Sequence, residues 1–229
     1  FDNLSSLGEN DTHVMDLSNK GNNGTASGGF LANASGKHGG AFRFDGKEDY
    51  VDISNTFSFG GSSLTISSWV NPAELTVDQV IFAMRDDGGS DNWQLYGSLN
   101  AEDVLYFSFW SGNVEKTCTT DDSLTLNTWQ HITSTYDGSN VVIYLDGNEV
   151  HNCALTGAID DEDTTSTIGK VGSSGFFNGS IDELRIWNRT LSSEEVYLQY
   201  VSNLRKLDAQ NWTLYVNQSL NATDGLIAD

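Results

Sequence analysis

The chain has 229 residues, with 32 acidic against 11 basic side chains and a formal net charge of −21. Affinity for a polyanion comes from Lys and Arg neutralising phosphates, so this charge argues against nucleic-acid binding. Hydrophobic residues (38%) and aromatics (11%) supply a sizeable core, which excludes a disordered acidic tail.

No membrane insertion is expected, because the longest apolar stretch, residues 104–110, falls far short of the roughly 18 to 20 residues a membrane helix needs and is interrupted by Ser108. The first residue is Phe1, which leaves room for a removed leader or an upstream domain.

Gly is abundant (23) and Pro nearly absent (1), and short β-branched and aromatic segments recur between Gly/Asn/Asp clusters. That pattern predicts an all-β sandwich. In chain order, residues 65–70, 80–84, 93–96 and 104–110 read as strands. Residues 129–151 predict a three-stranded meander, with strands to 136, over 141–145 and over 149–151. Asp137-Gly138 and Asp146-Gly147 form its turns, since Asp-Gly between apolar runs is the strongest short hairpin signal.

Residues 181–187 predict a further strand. After it, Ser192 and Glu195 fit a capping box that opens one short helix to about Tyr200. These elements delimit one domain over residues 1–201. Residues 202–229 read as a connector followed by a strand over 211–219. In that strand Trp212, Leu214 and Val216 alternate with Asn211, Thr213, Tyr215 and Asn217. With no partner strand evident in its own sequence, it is expected to complete a sheet in a following domain or in a neighbouring copy, a route to self-assembly.

Cys118 and Cys153 lack the C-x-x-C spacing of a redox or zinc site, which leaves one disulfide or two buried thiols. Cys153 falls just past the meander and Cys118 on the extended segment before it, so neighbouring strands bring them within reach and a disulfide is expected. N-x-[S/T] acceptors stand at Asn3, Asn10, Asn23, Asn33, Asn178, Asn188, Asn211, Asn217 and Asn221. Nine exceeds the roughly four that chance gives in a chain of this composition, so an extracellular or cell-surface glycoprotein is expected.

Four segments, taken in order, carry a family resemblance. They are Gly40-Ala41-Phe42-Arg43-Phe44-Asp45-Gly46 with Asp49-Tyr50-Val51; Leu64-Thr65-Ile66-Ser67-Ser68-Trp69-Val70; Trp129-Gln130-His131-Ile132 with Tyr144-Leu145-Asp146-Gly147; and Phe177-Asn178-Gly179-Ser180-Ile181-Asp182-Glu183-Leu184-Arg185-Ile186-Trp187. Together they resemble the laminin-G-like jelly-roll domain of the concanavalin A-like lectin/glucanase superfamily over roughly residues 16–200. The resemblance implies a jelly-roll sandwich of two antiparallel sheets, a structural Ca²⁺, and binding of carbohydrate or extracellular protein.

Side-chain alternation adds its own reading of the calcium. With Leu184 and Ile186 facing the core, Asp182 falls on the same inward side, where a carboxylate needs a compensating partner. Residues 16–24 form a polar, Gly-rich loop in which Asp16, Asn19 and Asn22 offer the hard oxygen ligands Ca²⁺ prefers. The resemblance implies that one ion joins Asp16 and Asp182, with main-chain oxygens near Gly46 completing its shell. The alternative is that Asp16 and Asp182 form turns or accept backbone hydrogen bonds. The acidic runs 86–91 and 160–163 lack an EF-hand framework and read as solvated loops.

No enzyme is expected. The E-x-D-x-x-E strand of retaining glycosidases in this superfamily is missing, as are G-x-S-x-G and G-x-x-x-x-G-K. His131 reads as a packed sheet residue. For ligand binding, aromatics near loops are the candidates: Trp93, Tyr106 and Trp110. On the strand 104–110, Leu105, Phe107 and Phe109 share one face, and Tyr106, Ser108 and Trp110 the other. The expectation is therefore a non-catalytic, calcium-stabilised extracellular module for a glycan or a neighbouring protein. Its competitor is a purely structural packing unit of a larger assembly.

Overall fold

The computed structural model describes residues 9–18, 20–29, 31–53, 63–75, 78–85, 94–96, 104–160, 165–206 and 212–216. In chain order the strands are β1 (His13–Val14), β2 (Gly24–Ser27), β3 (Leu31–Ser35), β4 (Gly40–Asp45), β5 (Tyr50–Ile53), β6 (Leu64–Pro72), β7 (Phe82–Arg85), β8 (Gln94–Tyr96) and β9 (Val104–Ser111). They continue with β10 (Val114–Ser123), β11 (Gln130–Tyr136), β12 (Asn140–Leu145), β13 (Asn148–Ala154), β14 (Thr165–Ile168) and β15 (Asn178–Trp187). The helix α1 (Ser193–Val201) follows, then β16 (Ser202–Lys206) and β17 (Trp212–Val216).

Two antiparallel sheets stack as a jelly-roll sandwich. One has eight strands in the order β1-β2-β5-β14-β7-β8-β9-β10, the other seven in the order β13-β12-β11-β6-β15-β4-β3. Period-two alternation builds the core between them. Leu105, Phe107 and Phe109 of β9 face inward against Leu64, Ile66 and Val70 of β6 and Ile132 and Tyr136 of β11 in one apolar cluster. The Phe109 and Tyr136 rings span the sheets with centroids 4.5 Å apart. Burying each such aromatic contributes roughly 2 to 3 kcal/mol.

The meander forms as the Asp-Gly signals require. At the β12–β13 turn Asp146 and Gly147 both adopt positive φ (50° and 77°), the conformation of a two-residue hairpin twisted like its strands. The Asp146 carboxylate accepts the His131 backbone N–H at 2.8 Å, tying this turn to β11. The disulfide between Cys118 and Cys153 is present, with Cα atoms 5.7 Å apart. It joins β10 and β13, the edge strands of the two sheets, and so clasps the sandwich along one side.

The capping box also stands: the Ser192 hydroxyl accepts the Glu195 N–H, and the Glu195 carboxylate accepts the Ser192 N–H. Hydrogen bonding to Arg189, then to the Ser192 N–H, holds the Glu195 carboxyl down at about 2. The turn before the helix is stitched to the seven-stranded sheet, with Thr65 Oγ1 donating to Arg189 C=O and accepting the Leu191 N–H. Leu191 and Val196 then pack on Tyr144, so α1 covers part of that sheet's outer face.

The C-terminal expectation needs one correction. Residues 202–206, read as part of a connector, are β16, and β17 pairs with it antiparallel in the register Leu204↔Leu214. The strand therefore has a partner in its own chain, in a two-stranded sheet separate from the sandwich.

Candidate functional site

The outer face of the eight-stranded sheet carries side chains that neither sheet core uses. On β9, Tyr106 and Trp110 are half-buried on that face, with Ser108 between them donating to or accepting from Thr117 Oγ1 of β10 at 2.7 Å. Trp110 stands at the end of β9 beside a pinned turn. Gly112 and Asn113 both take positive φ (60° and 62°), and the Asp160 carboxylate accepts both of their N–H groups at 2.9 and 3.1 Å. Asp160, the first acid of the run 160–163, thus serves as a backbone clamp. An amphipathic indole on a rigid rim offers a flat apolar surface and one N–H donor.

A second patch lies across the same sheet on β2, β5 and β14. Asp52 of β5 faces outward between its register partners Thr25 and Thr167, and its Oδ1 is buried with no hydrogen-bond partner. Beside it the Lys170 ammonium sits 3.5 Å above the centre of the Tyr50 ring. Four strand spacings separate β5 from β9, about 19 Å at ~4.8 Å per step. Between the patches Ala83 of β7 is buried with Val80 and Val171, so the face is two patches rather than one continuous groove. Sequence reasoning missed Asp52 and Lys170. A lone acid alternating with Val51 and Ile53 carries no motif; only the register shows that it lies between two threonines.

Asp182 does not lie where alternation placed it. β15 pairs with β6 as Ile181↔Val70 and Asp182↔Trp69, and the register slips before Arg185↔Ser67. Glu183 takes φ 52° at that slip, an irregularity that adds a residue and resets the inside-outside order. Ile181 and Ile186 therefore both face the core, while Asp182 shares the outer face of the seven-stranded sheet with Trp69 and Arg185. It is nevertheless fully buried. Its Oδ2 accepts the His38 N–H at 3.0 Å and its Oδ1 the Glu183 N–H at 2.8 Å. A Cβ on Gly36 would come 2.3 Å from Gly40 C=O and 2.8 Å from that Oδ2, so only glycine lets the β3–β4 loop close so tightly on the carboxylate. Lys37 then places its ammonium 4.2 Å over Trp69, and Tyr200 stacks on the same indole at 5.6 Å. His131 is a packed sheet residue beneath this cluster; burial, with smaller contributions from nearby cations, holds its imidazole neutral with a pKa down at about 3.

Of the residues expected to share one Ca²⁺, the described Asp16, Gly46 and Asp182 do not converge. Asp16, on the β1–β2 loop, accepts the Ser18 N–H at 2.8 Å and the Asn22 N–H at 3.0 Å, and these bonds outweigh burial to lower its pKa. Gly46 sits at the other end of β5. Gly24, next to the Asp16 loop, pairs with Ile53, whereas Gly46 lies beyond Tyr50, where Asp49 accepts the Asp45 N–H. Gly46 is also near Asn178, four residues or roughly 13 Å along β15 from Asp182. Ligands of one Ca²⁺ stand only about 2.3 to 2.6 Å from the ion, so Gly46 cannot share it with either acid. Asp182 points away from the sheet that bears Asp16. Asn19 and Trp93 lie outside the described residues, as do the run 86–91 and residues 161–163 of the run 160–163. Among the sequons, Asn10 and Asn188 are exposed, Asn23 is half-buried with its Oδ1 on the Asp16 N–H, and Asn178 donates to Glu74 at 3.2 Å. Asn3, Asn211, Asn217 and Asn221, and the Asn33 side chain, are outside the described set.

Among the described residues, no helix is long and apolar enough to cross a membrane. Comparison with solved structures returns domains of this fold. Domain 4 of AbnA, an extracellular GH43 arabinanase from Geobacillus stearothermophilus solved with arabinotriose, is 20% identical with a TM-score of 0.62, covering 76% of this chain and 86% of that one. The binding domain of Paraclostridial Mosquitocidal Protein 1 is 19% identical with a TM-score of 0.65, covering 85% and 54%. A SAP-like pentraxin from Limulus polyphemus is 13% identical with a TM-score of 0.55, covering 75% and 80%. The chain thus spans about half the length of the toxin binding domain it matches. No curated protein sequence matches it. The Laminin_G_3 family profile matches residues 45–197, two thirds of the sequence, and the chain therefore belongs to the concanavalin A-like lectin/glucanases superfamily.

Proposed function

We propose that this domain is an extracellular, non-catalytic binding module that takes a glycan on the outer face of its eight-stranded sheet. The observation that carries the reading is the half-buried Trp110 on a rim held rigid by Asp160, with Tyr106 four residues back along β9 on the same face. Sugars bind where an apolar ring face stacks beside fixed polar groups; the Gly112-Asn113 turn adjoins Trp110, and Asp52, Thr25 and Lys170 share the second, separate patch with the Tyr50 ring. Relatives by fold support the class: one was solved with arabinotriose, and for botulinum neurotoxin type C, 14% identical with a TM-score of 0.63, cell entry depends on interaction with two ganglioside molecules. Trp110→Ala is expected to weaken binding of arabinotriose, or of the best glycan on an array, by about tenfold, since a stacked aromatic contributes up to about 1.5 kcal/mol beyond the area it buries. Equal titration curves for the two proteins would remove Trp110 from the site.

The structural alternative draws on a different surface. Tyr197 and Leu198 of α1 are 40% and 55% exposed beside the β16–β17 hairpin, an apolar patch suited to a neighbouring domain or a second copy. An array with no hits, together with concentration-dependent association lost on truncation after Val201, favours that reading.

Calcium enters the proposal at the Asp16 loop alone, where an ionised carboxylate stands beside Asn22 and Asn23. An ion bound only to the folded state adds about 2.7 kcal/mol at one hundred times its dissociation constant. Chelator is then expected to lower the melting temperature of the native chain and of Asp182→Ala alike, and to leave Asp16→Ala unmoved. A response that survives in Asp16→Ala, or none in the native chain, rules out this site.

A further inference from the structure

The disulfide has a neighbour that the binding face leaves unused. His151 and Cys153 stand two residues apart on β13, opposite the core-facing Ile143 and Val141, so both side chains leave the strand on one side, toward β10 and Cys118. One imidazole nitrogen and the two sulfurs all lie within 4.8 Å of one another. No other such group of three His, Cys, Asp or Glu occurs among the described residues.

We infer that reduction converts this covalent clasp into a metal clasp, in which the Cys118 and Cys153 thiolates and the His151 imidazole bind one Zn²⁺ and water takes the fourth position. The donor set decides the metal: two thiolates and an imidazole suit zinc and disfavour calcium or magnesium. A dithiol reductant supplies the two electrons and two protons that turn the disulfide into two thiols, and itself closes to a disulfide. Zinc binding then releases the two thiol protons to solvent. Around a tetrahedral ion with Zn–S near 2.3 Å the sulfurs stand roughly 3.8 Å apart, so they must move out of covalent contact. The clasp can open that far because β10 and β13 are both edge strands, each hydrogen-bonded to a sheet neighbour on one side only. Cys118 is fully buried, while Cys153 is half-buried and gives the reductant its entry. The two edges of the sandwich would thus be held together in oxidising and in reducing surroundings by the same two cysteines.

The test uses the full chain, reduced with a phosphine and freed of it, and Co²⁺ as a spectroscopic stand-in for zinc. One equivalent of Co²⁺ is expected to give a thiolate-to-metal charge-transfer band and tetrahedral d–d bands, both erased by Zn²⁺. The oxidised chain and the Cys118→Ser/Cys153→Ser double variant should give neither. His151→Ala should weaken zinc binding by at least about tenfold, because even loss of a second-shell partner costs roughly 10 to 100-fold. His151→Ala binding zinc as tightly as the native chain would overturn the inference. So would a reduced chain that takes up no stoichiometric Co²⁺, or one that unfolds and is not refolded by metal.

Discussion

Asp182→Ala is expected to lower the free energy of unfolding by about 3 to 5 kcal/mol. The carboxylate is fully buried and accepts the main-chain N–H groups of His38 and Glu183, each a charge-assisted bond in the range of about 1.5 to 3 kcal/mol. Truncation leaves both donors unpaired in a buried site closed by Gly36, next to Trp69 on the neighbouring strand. Asp182→Asn should lose nearly as much. An amide keeps one acceptor but turns its NH₂ toward a backbone N–H that needs an acceptor. Urea unfolding of the three proteins measures this, and a loss below about 1 kcal/mol in the alanine variant would show that the carboxylate does not hold the β3–β4 loop.

Replacing Cys118 and Cys153 by Ser is expected to cost about 3 to 4 kcal/mol. The cysteines are 35 residues apart in sequence, and closing a loop of that length removes roughly this much entropy from the unfolded chain. The bond also carries a native-state role, since it ties together β10 and β13, the free edges of the two sheets on one side of the sandwich. Denaturation of the native and double-Ser chains at equal ionic strength gives the difference. Two free thiols by mass spectrometry, in protein purified without reductant, would contradict it.

What the residues alone disclose follows from how local each signal is. The meander was legible because Asp137-Gly138 and Asp146-Gly147 specify tight turns between alternating apolar runs, and the helix start because Ser192 and Glu195 cap it reciprocally. Phe107 and Phe109 pointed inward as period two requires. The same rule misplaced Asp182, because an irregularity at Glu183 shifts the period and only the pairing with β6 exposes it. β1 to β5 were not individually legible: strands of two to six residues are too short to show a hydrophobic period, and long-range pairing defines them. β16 escaped notice for a similar reason, since Ser202 to Lys206 becomes a strand only by lying beside β17. Of the binding face, Tyr106 and Trp110 were visible as alternating aromatics, whereas Asp52 acquires meaning only from Thr25 and Thr167 on neighbouring strands.

The most direct measurement is a map of backbone amide shifts by NMR as arabinotriose, or the strongest array glycan, is titrated into the labelled chain. Glycan binding on the eight-stranded sheet predicts saturable shifts confined to β9 around Trp110, the Gly112-Asn113 turn and β5 around Asp52, with β11 and β12 unmoved. Saturable shifts centred on α1 and the seven-stranded sheet, or no saturable shifts with any glycan, would contradict it.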